Sequence, residues 1–191
     1  MTNTIKYSLA ALFVLMLLFL YNRNTQESLK LSGEAIFEGD PDDVFRVLLS
    51  ENDKSIELVK LDSTWSIANN DSLKIRESQI QKIFDRLLKV KKESIRTSKK
   101  EKWEKFGVDD SLGRHIEIFD KNDNVILHYI FGNSGSDYQH NYVRENMAND
   151  VYRTNDNVYF LLNTNPTYWG EKPPKPKPID DENKNIMDDE K

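Results

Sequence analysis

Apolar residues recur at every second position in three short runs between residues 43 and 67. The apolar members of these runs are Phe45, Val47 and Leu49, then Ile56 and Leu58, then Trp65 and Ile67. Period-two alternation is typical of strands that bury one face. Asp62-Ser63 separates the second and third runs closely enough for a hairpin turn. The segment is therefore predicted to form a three-stranded antiparallel meander.

The apolar period then changes to that of a helix. Six positions recur at i, i+3, i+4, i+7, i+8 and i+11: Ile80, Ile83, Phe84, Leu87, Leu88 and the aliphatic stem of Lys91. This broad stripe predicts one long amphipathic helix that covers a sheet, or, as an alternative, a helix that binds a partner. A short helix is predicted next, with Ser98 and Glu101 at capping-box spacing and Gly107 as the left-handed C-terminal cap.

Strand alternation returns from Arg114, and two runs flank a polar turn centred on Asn122-Asp123. A hairpin with that centre has a core face made of Ile116, Ile118, Val125, Leu127, Tyr129 and Phe131. Its other face carries His115, Glu117, Phe119, Ile126, His128 and Ile130. In this register Glu117 lies directly across from His128.

The second face of this hairpin holds the candidate chemistry. His115, Glu117 and His128 are the residue types that bind zinc or iron, and His-x-Glu on one strand projects both side chains to the same side. An ordinary Glu–His cross-strand pair, or solvated histidines, would use the same residues. We favour the ordinary pair, so no cofactor or catalytic residue is assigned, and metal binding by these three residues is kept as the alternative.

Two other motifs resemble known sites only superficially. Asp120-x-Asn122-x-Asn124 begins like a calcium loop, but Val125 stands at the sixth position where glycine is needed, and Phe131 at the twelfth where glutamate is needed. The loop at 132–136 lacks the Gly-Lys-Ser/Thr sequence that leads from a phosphate cradle into a helix. Neither Ser134 nor Ser136 has a base at recognisable spacing. The chain is therefore predicted not to be an enzyme.

Composition narrows the class of protein. The chain has 191 residues, a formal net charge of −5 and no cysteine. The acidic balance argues against a general nucleic-acid binder, and the missing cysteines exclude disulfides, thiol catalysis and Cys-zinc sites. The length suits one globular domain with appendages, which we place at residues 41–170.

The two ends of the chain differ from this domain. Residues 1–23 contain an unbroken apolar run from Leu9 to Leu20 and no small residues at cleavage-site positions. They predict an uncleaved signal-anchor, that is, a single N-terminal transmembrane helix. A cleaved signal peptide is the alternative. Residues 24–40 are predicted to be a polar stalk.

The remaining residues, 171–191, contain four of the six prolines followed by an acidic end. This composition cannot bury enough apolar surface to fold, and it predicts a disordered Pro/Lys-rich tail. The expected location is the bacterial inner membrane, with a single pass and the C-terminal domain facing the periplasm or the outside. The overall expectation is an α+β fold, with antiparallel meander sheets packed against one long amphipathic helix and short helices.

The order of these motifs resembles the bacterial domain of unknown function 4340 family between about Asp43 and Leu162. The resemblance is carried by Trp65-Ser66-Ile67, Ile83-Phe84 with Leu87-Leu88, Lys105–Asp109, Ile130-Phe131-Gly132, Tyr142-Val143-Arg144 and Val151-Tyr152. The chain has Phe106-Gly107-Val108 where the family usually has Tyr-Gly-Leu.

The resemblance implies a membrane-anchored extracytoplasmic domain, in a family whose genes often neighbour those of ABC transporters. It offers no agreed catalytic residues. We therefore expect a non-enzymatic interaction or accessory domain, with a membrane-protein partner and no nucleic acid. The alternatives are a metal-binding or metal-dependent hydrolytic domain, and an envelope glycan- or lipid-binding module.

Overall fold

The computed structural model describes Tyr7, Leu9 and residues 11–20, 30–133 and 138–173. Its strands are β1 Lys30–Ala35, β2 Arg46–Glu51, β3 Lys54–Leu61, β4 Thr64–Ile67, β5 Lys74–Ile75, β6 Lys91–Thr97, β7 Arg114–Phe119, β8 Val125–Gly132, β9 Tyr142–Glu145, β10 Val151–Thr154 and β11 Gly170–Glu171. Its helices are α1 (11–20), α2 Glu77–Lys82, α3 Trp103–Phe106 and α4 Pro166–Trp169. Short 3₁₀ turns span Pro41–Asp43, Lys100–Lys102 and Tyr159–Leu161.

Nine strands form one sheet in the order β1-β6-β10-β9-β8-β7-β2-β3-β4. Each neighbouring pair in it is antiparallel. The predicted meander is β2-β3-β4, and the turn residue Asp62 has a positive φ of 54°. The meander joins the rest of the sheet because β2 pairs with β7.

The hairpin β7–β8 has the predicted register at its centre, where Ile116 pairs with Tyr129 and Glu117 pairs with His128. The prediction that Val125 lies on the core face of the hairpin was wrong. A bulge between Ile118 and Phe119 shifts the register, Phe119 pairs with Val125, and the Val125 side chain is 53% exposed. An inserted residue at a bulge changes the face on which the following side chains lie.

The predicted long amphipathic helix is the main error in the fold. Between residues 77 and 91 the chain is helical only through α2 and a π-turn at Ile83–Leu87, and Leu88 donates its N–H to the Ile83 carbonyl five residues earlier. The apolar stripe is still buried, with Ile83 and Leu87 fully inside. Its last member, Lys91, instead begins the strand β6. The fold is therefore mostly an antiparallel sheet with a few short helices.

The predicted transmembrane helix is also corrected. In the described part of residues 1–23, α1 is a short helix, and no helix among the described residues is long and apolar enough to cross a bilayer. The other positions of that segment lie outside the described residues, as do residues 174–191 of the predicted tail. Part of the predicted stalk is the strand β1, whose Glu34 pairs with Lys92 of β6.

The main core lies between the sheet and the short helices. Its largest fully buried side chain is Trp169 of α4, whose indole N–H donates to the Asn163 carbonyl at 2.6 Å. A smaller cluster contains Trp103 and Val108 on one side and Ile130 and Val151 on the other. This cluster joins the segment around α3 to strands β8 and β10. The predicted C-terminal cap of α3 is confirmed, since Gly107 has a φ of 63° in the left-handed region. The predicted capping box of Ser98 and Glu101 was wrong, because no side chain of the described residues caps the start of α3 or of the 3₁₀ turn before it.

Gly132 provides a test of how closely the α3 segment approaches the sheet. A Cβ added there would overlap the Phe106 carbonyl oxygen, which belongs to the backbone and cannot easily move. We expect Gly132→Ala to lower the free energy of unfolding by about 3 kcal/mol in urea denaturation.

Gly39→Ala is the matched control for this substitution. Its added Cβ would meet only the tip of the Phe37 ring, at 2.8 Å, and that ring can rotate away. We expect a cost of about 0.5 kcal/mol. Equal costs for the two variants would contradict the close approach at Gly132.

Candidate functional site

The three predicted site residues meet on the outer face of β7 and β8. His115 Nδ1 lies 3.2 Å from His128 Nε2, and Glu117 Oε2 lies 4.0 Å from His128 Nδ1. The strands place them there because Glu117 and His128 are register partners and His115 is two residues before Glu117. The side chains of His128 and Glu117 are 20% and 25% exposed, so solvent reaches the group.

Each histidine also has a neighbour at its other ring nitrogen. His115 Nε2 lies 3.2 Å from the backbone carbonyl oxygen of Asp110. His128 Nδ1 faces the Glu117 carboxylate. The two inner nitrogens therefore face each other, while each outer nitrogen faces an oxygen.

The electrostatics of His128 favour its neutral form. Burial lowers its pKa below the ordinary value; Glu117 and Asp110 act in the opposite direction, and His115 and Arg144 reinforce the decrease. The net result is a lowered pKa. A neutral imidazole is the form that can accept a proton or bind a metal ion.

A buried arginine, which sequence reasoning did not single out as important, lies beside this group. Arg144 of β9 is 1% exposed, pairs with the Asp110 carboxylate and lies 3.7 Å above the Trp103 ring. It also donates to the carbonyl oxygens of Val108 at 3.0 Å and Asn146 at 2.7 Å. Its register partner Ile130 shows that it points to the same side of the sheet as the histidines.

Other polar residues considered in the sequence analysis lie away from the histidine pair. His140 is in a separate place, with Nδ1 2.7 Å from the Thr154 carbonyl oxygen. Asp120 acts in the turn, where its carboxylate accepts from the backbone N–H groups of Asn122 and Asn124. Ser134, Ser136 and Asp137 lie outside the described residues. Within the described ranges, no group of three or more His, Cys, Asp or Glu side chains is arranged to hold a metal ion.

A cleft of about 480 Å³ opens at the end of this sheet region, next to the turn. Its apolar lining comes from Ile36, Phe37, Phe45 and Ile126. Its charged lining comes from Glu38, Asp43, Asp120 and Lys121. An adjoining groove shares Ile36 and Ile126 and extends over Val125 and Met147. Met147 is 91% exposed, so this is apolar surface open to solvent.

These features define an antiparallel β-sheet domain with a polar histidine-containing face and a separate apolar cleft. The chain belongs to the family Domain of unknown function (DUF4340), whose model matches residues 65–183, more than half of the chain. This confirms the predicted family. The comparisons with curated proteins and with solved structures found no match.

The contribution of the buried Arg144 to stability can be tested by comparison with that of its exposed partner, Asp110. Arg144→Met removes the donors to three carbonyl oxygens, those of Val108, Glu145 and Asn146, and should lower the free energy of unfolding by about 2–4 kcal/mol. Asp110→Asn should cost less than about 1 kcal/mol, because the Asp110 side chain is 68% exposed and solvent screens the pair. Urea denaturation of both variants checks this order, and a larger cost for Asp110→Asn would contradict it.

Asp109 generates a prediction about acid stability. Burial raises the pKa of its carboxyl group, but hydrogen bonds from Ser111 and from the backbone N–H of Leu112 outweigh burial and hold the pKa below its usual value. The unfolded chain then binds the proton first, so this stabilisation is complete above about pH 4 and is lost as the pH falls through the folded pKa.

We expect Asp109→Asn to be less stable than the unchanged chain at pH 6, with the difference narrowing as the pH falls below about 4. Urea denaturation across this pH range measures it. A difference that stays constant with pH would show that the ionised carboxylate contributes nothing.

Proposed function

We propose that this protein is a non-enzymatic interaction domain that works on the extracytoplasmic side of the membrane, as an accessory part of an envelope complex such as an ABC transporter. The observation that carries this proposal is the apolar surface at the cleft and its adjoining groove, where Val125, Ile126 and Met147 are open to solvent. Contiguous exposed apolar surface with a polar rim is typical of protein interaction sites. The transporter class comes from the family resemblance.

The charges around the cleft define the chemistry of the partner. Three carboxylates, those of Glu38, Asp43 and Asp120, line it with a single lysine, Lys121. The hydrogen bonds that Asp120 accepts in the turn, first of all from Asn124, lower the pKa of its carboxyl group, so it stays ionised at neutral pH. The complementary partner is a protein segment with an apolar anchor next to basic residues.

The N-terminal segment supports a location at the membrane. Residues 11–20 include no charged residue, and all of their side chains are exposed in the structure. An apolar helix whose side chains are all exposed among the described residues has a strong preference for lipid or for an apolar partner. The proposed location depends on this affinity for apolar surroundings. The orientation of the chain stays a prediction.

Site-specific photocrosslinking in intact membranes tests the cleft. A photoreactive amino acid at Ile126 or Met147 should give one defined adduct, and mass spectrometry should place the linked residue in an apolar, basic-flanked segment of a membrane protein. The same probe at Leu61, which is exposed to 65% but lies away from the cleft, should give no such adduct.

A charge in the cleft provides the second arm of the test. Ile126→Asp should abolish the Met147 adduct, because it adds a carboxylate to an apolar surface that already carries three. Adducts of equal yield from Met147 and Leu61, or a Met147 adduct that survives Ile126→Asp, would count against the cleft as the interaction site.

A further inference from the structure

Part of the cleft lining belongs to the chain segment that directly follows β1. Ile36, Phe37 and Glu38, which we call the cleft wall, line the cleft, and Ile36 also lines the adjoining groove. The Ile36 N–H donates to the Val90 carbonyl oxygen at 2.9 Å, which continues the pairing of β1 with β6 by one residue, and the Ile36 side chain is buried. Ile126 of β8 lines the cleft as well. The position of β1 therefore sets how the cleft wall lies against β8.

β1 itself is held to the domain by few interactions. It is an edge strand of the nine-stranded sheet, where its one neighbour is β6. A register shift between Lys30 and Glu34 interrupts this pairing, and Gly33 has a φ of 61° there. Of residues 33–35, the part of β1 whose burial the structure describes, none is buried. Edge elements with little buried apolar surface open at a lower free energy than the centre of a sheet, so β1 should separate from its neighbour more easily than the interior strands do.

An ion pair with a buried lysine of β6 joins the two strands. Lys92 Nζ lies 3.2 Å from Glu34 Oε2 and 5.2 Å from the centre of the Tyr152 ring. The Lys92 side chain is 8% exposed. Burial lowers the pKa of Lys92, but Tyr129 and Glu34 outweigh burial and hold the pKa above its ordinary value, so the ammonium group is charged at neutral pH. A buried charge that loses its partner is strongly destabilised, so the Lys92 ammonium favours the state in which β1 is paired.

We infer that β1 is a latch for the cleft: the ion pair of Lys92 and Glu34 keeps β1 on β6, and release of β1 displaces the cleft wall. β1 is the first strand of the sheet, and residues 21–29 join it to α1 in the sequence. A displacement of the N-terminal segment relative to the domain would therefore reach the cleft through β1. The effect on a partner rests on the proposed function, whereas the latch itself does not.

Hydrogen exchange of single backbone amides tests the latch, measured by nuclear magnetic resonance on the full chain in detergent. Glu34→Lys places a second ammonium group against Lys92, and solvent screens this repulsion only in part because Glu34 is 51% exposed. We expect the Ile36 amide, whose N–H bonds to Val90, to exchange about tenfold faster. Amides of β3, which is far from β1 in the strand order, should exchange at an unchanged rate.

Two comparisons assign the effect to the ion pair. In a chain that already carries Lys92→Met, Glu34→Lys meets no ammonium group and should change the exchange of Ile36 by less than about twofold. Glu171→Lys, which breaks an exposed pair with Arg76 elsewhere, should leave the exchange of Ile36 unchanged. The latch is refuted if Glu34→Lys has no effect, has the same effect with and without Lys92, or accelerates exchange in β3 as much as at Ile36.

The photoreactive amino acid at Met147 tests the connection between the latch and the cleft. Replacement of residues 30–35 by glycine and serine removes the ion pair and most of the strand preference of β1, so the Met147 adduct should be lost. Slow exchange in β3 checks that this chain stays folded. An undiminished Met147 adduct would overturn the control of the cleft by β1. A missing Met147 adduct in the unchanged chain would contradict the proposed function alone, because hydrogen exchange decides the latch.

Discussion

The register of the β7–β8 hairpin is the constraint on which most of this structure depends. The turn that sets it is held by Asp120, whose carboxylate accepts from two backbone N–H groups, while Asp123 adopts a φ of 63°. Because side chains alternate along a strand, a slip of one residue would move the core face of both strands to the outside. The same slip would separate Glu117 from His128. Core and candidate site therefore depend on one turn.

The hairpin also connects two halves of the sheet that the chain builds separately. On one side β2 pairs with β7 and brings in the meander, and on the other β9 pairs with β8 and brings in β10, β6 and β1. Two interactions between distant parts of the chain stabilise the half of the sheet formed by β9, β10, β6 and β1. Lys92, which is 6% exposed, pairs with Glu34 of β1 at 3.2 Å, and Arg144 holds the segment around Val108 against β9.

The two candidate surfaces differ in chemistry and depend on different elements. The histidine face uses regular strands, so its distances follow from register, and its atoms are only partly exposed. The cleft lies where regular pairing ends, between the segment after β1 and the bulged start of β8, and it exposes apolar side chains such as Ile126.

The sequence alone determined those features that depend on neighbours along the chain. Alternation predicted the faces of β2, β3, β4, β7 and most of β8, and glycine chemistry predicted the left-handed cap at Gly107. It also placed Glu117 opposite His128, because a short turn leaves a single register for the alternating pattern.

Only the tertiary structure decided the features that depend on distant partners. The apolar stripe after residue 79 is compatible with a long helix, but pairing of Lys91–Thr97 with two other strands ends the helix with a π-turn. The burial of Arg144 likewise requires residues far apart in sequence to meet, since Trp103, Val108 and Asp110 surround it. Periodicity describes which face of an element is apolar, but it does not say which other element will cover that face.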